Sequence, residues 1–325
     1  PWIGQVAAGL AFLFVGAGVH MVQTVGLALA TDLVPEESQP KVVGLMYVML
    51  LAGMIVSAIV FGMLLDTYTP GRLVQVIQGA AVITLVLNVL AMWKQETRDP
   101  RRHLTPPVQD VEFADAWTVF RRGPDALRRL LVVGLGTAAF SMEDVLLEPY
   151  GGEILRMSVS DTTLLTATLS AGGLAGFWAA SIILGRGYDA FRMAAIGALI
   201  GLPAFALVIA AAPLDSPGWF GTGVLLIGVG GGLFGHGTLT ATMRAAPRDA
   251  VGLALGAWGA VQATAAGAAV GFGGILRDAY AAVTEPVLGY IFVYSLELAL
   301  LVVTITAMVP LAGWRRTLTA RNQAA

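Results

Sequence analysis

Three carboxylates, Glu143, Asp144 and Glu148, stand beside a Pro149-Tyr150-Gly151-Gly152 sequence in a run that is otherwise apolar from Leu130 onward. Acids in such a place can bind a proton or a cation, or offer oxygen and hydrogen-bond contacts to a ligand. Continued from Leu130 as a helix at about 1.5 Å per residue, the run carries Glu143 and Asp144 roughly 20 Å into a hydrocarbon layer about 30 Å thick. Glu148 then reaches the far interface. A charge at that depth costs about 2.5–3.5 kcal/mol on the insertion scale, so each acid needs a partner or a purpose. Helical spacing puts Asp144 and Glu148 on one face and Glu143 about 100° away, so they serve different neighbours. Pro149 and Gly151-Gly152 are expected to end the helix and free backbone carbonyls, which a membrane accepts only beside protein or water. Pairing with polar groups on other helices is the plain alternative for all three acids.

Other ionisable groups share this setting. Glu297 lies inside the last apolar run, with Tyr294 and Tyr290 one and two turns before it, a constellation suited to a proton-responsive site or to a neutral acid bonded to a neighbouring helix. His20 and His236 lie within the first and seventh runs, both toward the same membrane side. Neither has the multiple-ligand spacing of a protein metal cage. The absence of cysteine excludes disulfides, iron–sulfur clusters and thiol catalysis. Gly230-Gly231-Gly232-Leu233-Phe234-Gly235 matches a dinucleotide-binding pattern in form only, because that pattern needs a preceding strand and here falls within a spanning helix. Gly228, Gly232, Gly252, Gly256, Gly267 and Gly271 instead form small-residue faces for helix contacts, or room for a flat ligand.

The elements that must position these groups follow from composition. Of 325 residues, 57% are hydrophobic and 12% charged, and the mean hydropathy is +0.77, which marks a polytopic membrane protein. Apolar runs at about 3–30, 42–65, 73–93, 130–147, 162–185, 193–212, 217–243, 250–276 and 287–311 give nine candidate transmembrane helices. Sixteen of the Lys and Arg residues fall on the side reached by the first loop, against three, Arg72, Arg156 and Arg277, on the other. That bias makes the sixteen cytoplasmic and places the C-terminus inside. The basic residues are topology signals, not a nucleic-acid patch.

Residues 94–129 form a central cytoplasmic loop between a partial N-terminal lobe of three helices, 1–93, and a C-terminal lobe of six, 130–325. Within the loop, Phe113, Ala116, Trp117 and Phe120 recur at helical spacing opposite Asp110, Glu112 and Asp115, as in a short helix on the membrane surface. A weak internal repeat relates Val15-Gly16-Ala17-Gly18 to Ile227-Gly228-Val229-Gly230, and Gly62–Asp66 to Gly274–Asp278. Helices one to three thus correspond to seven to nine. With six helices per lobe, the first lobe lacks its opening three, and a start at Pro1 fits a trimmed sequence.

The segment Ala30–Ser38 followed by Val42–Leu50 resembles the connection between the fourth and fifth helices of the major facilitator superfamily. With the run Asp144–Gly152, it is similar to that superfamily's bacteriochlorophyll delivery branch, the PucC and LhaA type, over about residues 15–316. The expected fold is therefore an all-α polytopic helical bundle of major facilitator type. Gly185-Arg186-Gly187-Tyr188-Asp189 keeps, in degraded form, the spacing of that superfamily's short cytoplasmic loop. There Asp189 caps the next helix or pairs with Arg192, as a gating contact.

The resemblance implies a non-enzymatic factor for assembling light-harvesting complexes, with bacteriochlorophyll or a related magnesium tetrapyrrole as transient ligand. It implies antenna polypeptides, the pigment and the lipid bilayer as partners, no nucleic acid, and a place in the bacterial inner, intracytoplasmic photosynthetic membrane. In that frame His20 and His236 are candidate axial magnesium ligands, since neutral imidazole suits a chlorin whose ring supplies the equatorial nitrogens. Glu143, Asp144 and Glu148 are candidate polar contacts to the same pigment. A proton-coupled transporter of a small amphipathic solute, with Glu143 or Glu297 as coupling acid, is the competing expectation. A structural chaperone without pigment is a third.

Overall fold

In the computed structural model the residues described are 2–35, 39–93, 117–118, 123, 125–245 and 251–311. Apolar runs with little charge become long helices because, without water, backbone polar groups must bond within their own segment. These are α1 (Trp2–Asp32), α2 (Gln39–Leu64), α3 (Pro70–Met92), α4 (Ala126–Ala139), a 3₁₀ turn (Met142–Val145), α5 (Leu147–Glu153), α6 (Val159–Gly185), α7 (Ala190–Ala211), α8 (Pro217–Ala245), α9 (Val251–Ala281) and α10 (Pro286–Met308). Among the described residues eight helices are long and apolar enough to cross a membrane, α4 to α5 counting as one broken span. To these α1 adds 31 residues, about 46 Å of helix. The chain is a multi-pass membrane protein. The surface helix expected around Phe113 to Phe120 lies outside the described residues, except that Trp117 and Thr118 are helical.

Helix starts follow capping chemistry. Thr69 accepts a hydrogen bond from the Arg72 amide at 3.1 Å, with Pro70 opening α3, and Ser158 accepts one from the Asp161 amide at 3.1 Å to open α6. Each satisfies one of the donors a helix start leaves unpaired. Gly187, at φ 88°, turns the chain between α6 and α7 in a conformation that favours glycine.

The chain groups into two compact units, Pro1–Met54 and Ile55–Ala325. In the first, α1 and the start of α2 run with largely exposed apolar side chains, such as Phe14 and Met49. In the second, Ser160 at the start of α6 donates to the Gly62 carbonyl of α2 at 2.9 Å. The α3 helix has no buried residue and presents its apolar side chains outward, as a lipid-facing helix does.

The core of the second unit is the close stack of α6, α7 and α8. Side chains at Gly172 and Gly176 would overlap the carbonyls of Leu225 and Val229, while Gly228 and Gly232 face Leu169 and Gly173 in return. Gly197 and Gly230 bring α7 and α8 together in the same way. Small residues thus allow backbone contact where lipid supplies no hydrophobic drive between helices. Gly228 and Gly232 meet the packing expectation. Along α9 the outcome differs: at Gly256, Gly267 and Gly271 a side chain would meet nothing within 4 Å, and Gly252 lies outside the described side chains.

The break in the acidic helix falls earlier than its proline and glycines suggest. Helix α4 ends at Ala139 and the 3₁₀ turn follows at Met142, whereas Pro149 and Gly151-Gly152 lie within α5. Pro149 occupies the third position of α5, where its missing N–H has no carbonyl to serve within that helix. Gly151 lets α5 approach α6, since a Cβ there would lie 3.1 Å from Thr162 Cγ2 and 3.3 Å from Leu165 Cδ1. The turn itself is wedged by Phe140, whose ring lies 5.9 Å from that of Phe234 and 6.2 Å from that of Phe205.

Candidate functional site

In the 3₁₀ turn the neighbouring side chains of Glu143 and Asp144 point in different directions. Glu143 is 1% exposed and points into the core, while Asp144 is exposed. Glu148 on α5 is exposed too, and its carboxylate accepts a hydrogen bond from the Thr166 hydroxyl of α6 at 3.0 Å.

Opposite Glu143 stands Glu297 of α10, fully buried. Each carboxyl group acts on the other, and Asp144 and Tyr294 lie within the same electrostatic group. Oε2 of Glu143, both carboxyl oxygens of Glu297 and the Tyr294 hydroxyl have no hydrogen-bond partner. The structure therefore brings together four of the groups singled out in the sequence, from two elements, in a setting where unpaired polar atoms are costly.

Aromatic rings close one side of this group. Tyr150 meets Phe220, Tyr290 and Tyr294 edge to face, with centroids 5.1, 5.2 and 5.5 Å away, and its hydroxyl donates to the Val208 carbonyl at 3.1 Å. Beyond them lies a cluster that the sequence did not single out. Arg277 of α9 donates to the Tyr290 hydroxyl at 2.7 Å, pairs with Asp278 at 2.8 Å and forms an ion pair with Glu153 of α5. Tyr290 in turn donates to Glu153 at 2.8 Å, and the guanidinium lies 4.3 Å from the Tyr290 ring centre. The available signal was Arg277 itself, one of three basic residues on the side poor in Lys and Arg, one residue before Asp278.

His236 keeps different company on α8. Its ring lies 4.1 Å from that of Phe177 on α6, centre to centre, at a 54° tilt, and its Nδ1 is buried without a hydrogen-bond partner. The imidazole is half-buried, so its other ring nitrogen is the one left for a ligand. Close by, the Trp258 indole of α9 donates to the Thr238 hydroxyl at 3.3 Å, tying α9 to α8 at this level. Gly235, Gly256 and Gly259 have nothing within 4 Å of where a side chain would begin. His20 is in helix α1, and its side chain lies outside the described residues.

Asp189 caps α7 by accepting from the Arg192 backbone amide at 2.8 Å. The loop that ends at Asp189 is held by Arg244 of α8, which donates to the carbonyls of Leu184 and Tyr188 at 2.9 and 3.2 Å. Among the described residues no group of three or more acidic, histidine or cysteine side chains is placed to hold a metal ion.

Similarity to known proteins extends along almost the whole chain. Residues 1–315 match the family model described as PUCC protein. Protein PucC of Cereibacter sphaeroides is 54% identical over 315 residues, covering 95% of this chain and 68% of its own length. A protein of Rhodobacter capsulatus named bacteriochlorophyll synthase 44.5 kDa chain is 27% identical, over 82% of this chain and 62% of its own. The chain thus spans about two thirds of these relatives. A bacterial homologue of the human lysosomal transporter Spinster, in an inward-facing conformation, superimposes with a TM-score of 0.51 at 18% identity, over 89% of this chain and 72% of its own. At that identity the likeness speaks to the fold, which is of major facilitator type. With a family model matched from the first residue to near the last, and a relative sharing more than half its residues, the chain belongs to the PUCC protein family.

Proposed function

We propose that this chain is part of a non-enzymatic membrane factor for assembling bacterial light-harvesting complexes, which holds a magnesium tetrapyrrole such as bacteriochlorophyll as cargo and passes it to antenna polypeptides. Family membership supports the assembly role, and His236 carries the pigment reading. Its imidazole has one nitrogen closed off and the other left over and rests on the Phe177 ring, and on the same helix Gly235 has nothing within 4 Å of where a side chain would begin. A chlorin magnesium asks for one axial donor from an apolar wall, and this donor set fits it. His20 is a separate candidate magnesium ligand, proposed from the sequence alone. Asp144 and Glu148, both exposed, would meet polar groups at the pigment's edge, with Glu143 behind them. The working place is the intracytoplasmic photosynthetic membrane, with the C-terminus cytoplasmic. The lobes run over 1–93 and 130–325, with Asp189 and Arg192 steadying the cytoplasmic gate of the second.

The test is complementation of a phototrophic host that lacks its own copy. The full-length protein restores the near-infrared absorption of the antenna, and His236→Ala restores several-fold less at equal abundance in the membrane. Equal restoration by the variant would sink the pigment site. Failure of the unmodified protein to restore any antenna would sink the assembly role.

A further inference from the structure

The carboxyl groups of Glu143 and Glu297 are buried against each other in the core of the second unit, and nothing in the pigment reading uses their apposition. Among the described residues the ionisable groups that act on the pair or on its neighbour Tyr294 are acids and phenols: Asp144 from the 3₁₀ turn, Tyr150 from α5, and Tyr290 and Tyr294 from α10. No Lys, Arg or His acts on the pair among the described residues, and Arg277 is engaged by Glu153, Asp278 and Tyr290. Two buried carboxylates facing each other repel strongly, whereas one proton turns the same contact into a hydrogen bond. The unpartnered Tyr294 hydroxyl, fully buried and within the same group, adds a donor that can be turned toward the remaining negative oxygen. Three side chains from two elements thus lack partners at one place, and a single shared proton satisfies most of them.

We infer that Glu143 and Glu297 form a proton-binding pair whose shared proton fastens the 3₁₀ turn to α10. The turn is the place in the second unit where one membrane span changes helical form, and it joins α4 to α5 with Asp144 on its outer side. With the proton present, Glu143 stays inward and Asp144 stays out. Loss of the proton leaves two like charges in contact, and the turn is the element free to move, because Glu297 sits mid-helix in α10. The site suits a proton rather than a metal ion, since Asp144 is turned outward and, among the described residues, no three acidic or histidine side chains are placed to hold a metal. This inference stands independently of the pigment reading.

Infrared spectroscopy of the purified full-length protein, together with a spin label at the exposed Val145, tests it. The protein shows the carbonyl-stretch band of a protonated acid at neutral pH, and the double variant Glu143→Gln, Glu297→Gln lacks that band. Titrated upward in pH, the unmodified protein loses the band and changes the label's line shape over one common range, while the double variant shows no such change in line shape. The unmodified protein decides the matter even where the double variant fails to insert. Absence of a protonated-acid band at neutral pH overturns the inference. So does a band that sodium ions abolish at constant pH, or a line-shape change that persists in a folded double variant.

Discussion

At the residue scale, chemistry follows from which polar atoms the fold leaves without partners. Tyr150 has both a packing and a bonding role, with its ring among three aromatics and its hydroxyl on the Val208 carbonyl. Tyr150→Phe keeps the rings together and removes only that bond, so it lowers stability by about 1 kcal/mol in a denaturant titration. Arg277→Ala removes a cation from three partners, but Glu153 is 44% exposed and solvent screens it, so the loss is about 1–2 kcal/mol. The measurement is the same, and Glu153→Gln should give a similar value if the two side chains act through one contact. Glu143, Asp144 and Glu297 were legible as residues in need of partners because charge in an apolar run is conspicuous. Their meeting was not legible, because nothing in a single sequence says which face of α10 turns toward the 3₁₀ turn. Arg277 was hidden for the opposite reason: near a helix end a basic residue reads as an ordinary interfacial anchor.

At the element scale, glycine spacing and helix breaks organise the second unit. Gly176→Leu would drive a branched side chain into the Val229 carbonyl and separate α6 from α8. A loss of about 1–3 kcal/mol or failure to accumulate in the membrane follows, whereas Gly267→Leu on the open side of α9 should be tolerated. Comparing the thermal unfolding and membrane abundance of the two variants separates contact glycines from merely small ones. The sequence carries the helices clearly, since their apolar runs match the observed elements to within a few residues at most ends. The break was misplaced because Pro149 and Gly151-Gly152 are strong signals in isolation. In the folded chain a proline in the first turn is harmless, and α4 stops where Phe140 packs against Phe205 and Phe234.

At the scale of the whole molecule, the fold and the family are secure on different grounds. Apolar runs and their loops lead to a helical bundle of major facilitator type, and the likeness to a transporter structure bears that out. The acidic run around Asp144 led to the family, and the match along residues 1–315 establishes it. A fold of this type serves many functions, so the pigment reading rests on the site, above all on His236. The most direct measurement is the absorption spectrum of full-length protein purified gently from a pigmented host, beside His236→Ala prepared in the same way. The account predicts chlorin absorption in stoichiometric amount from the unmodified protein and several-fold less from the variant. A colourless, well-folded preparation that still binds antenna polypeptides would contradict it.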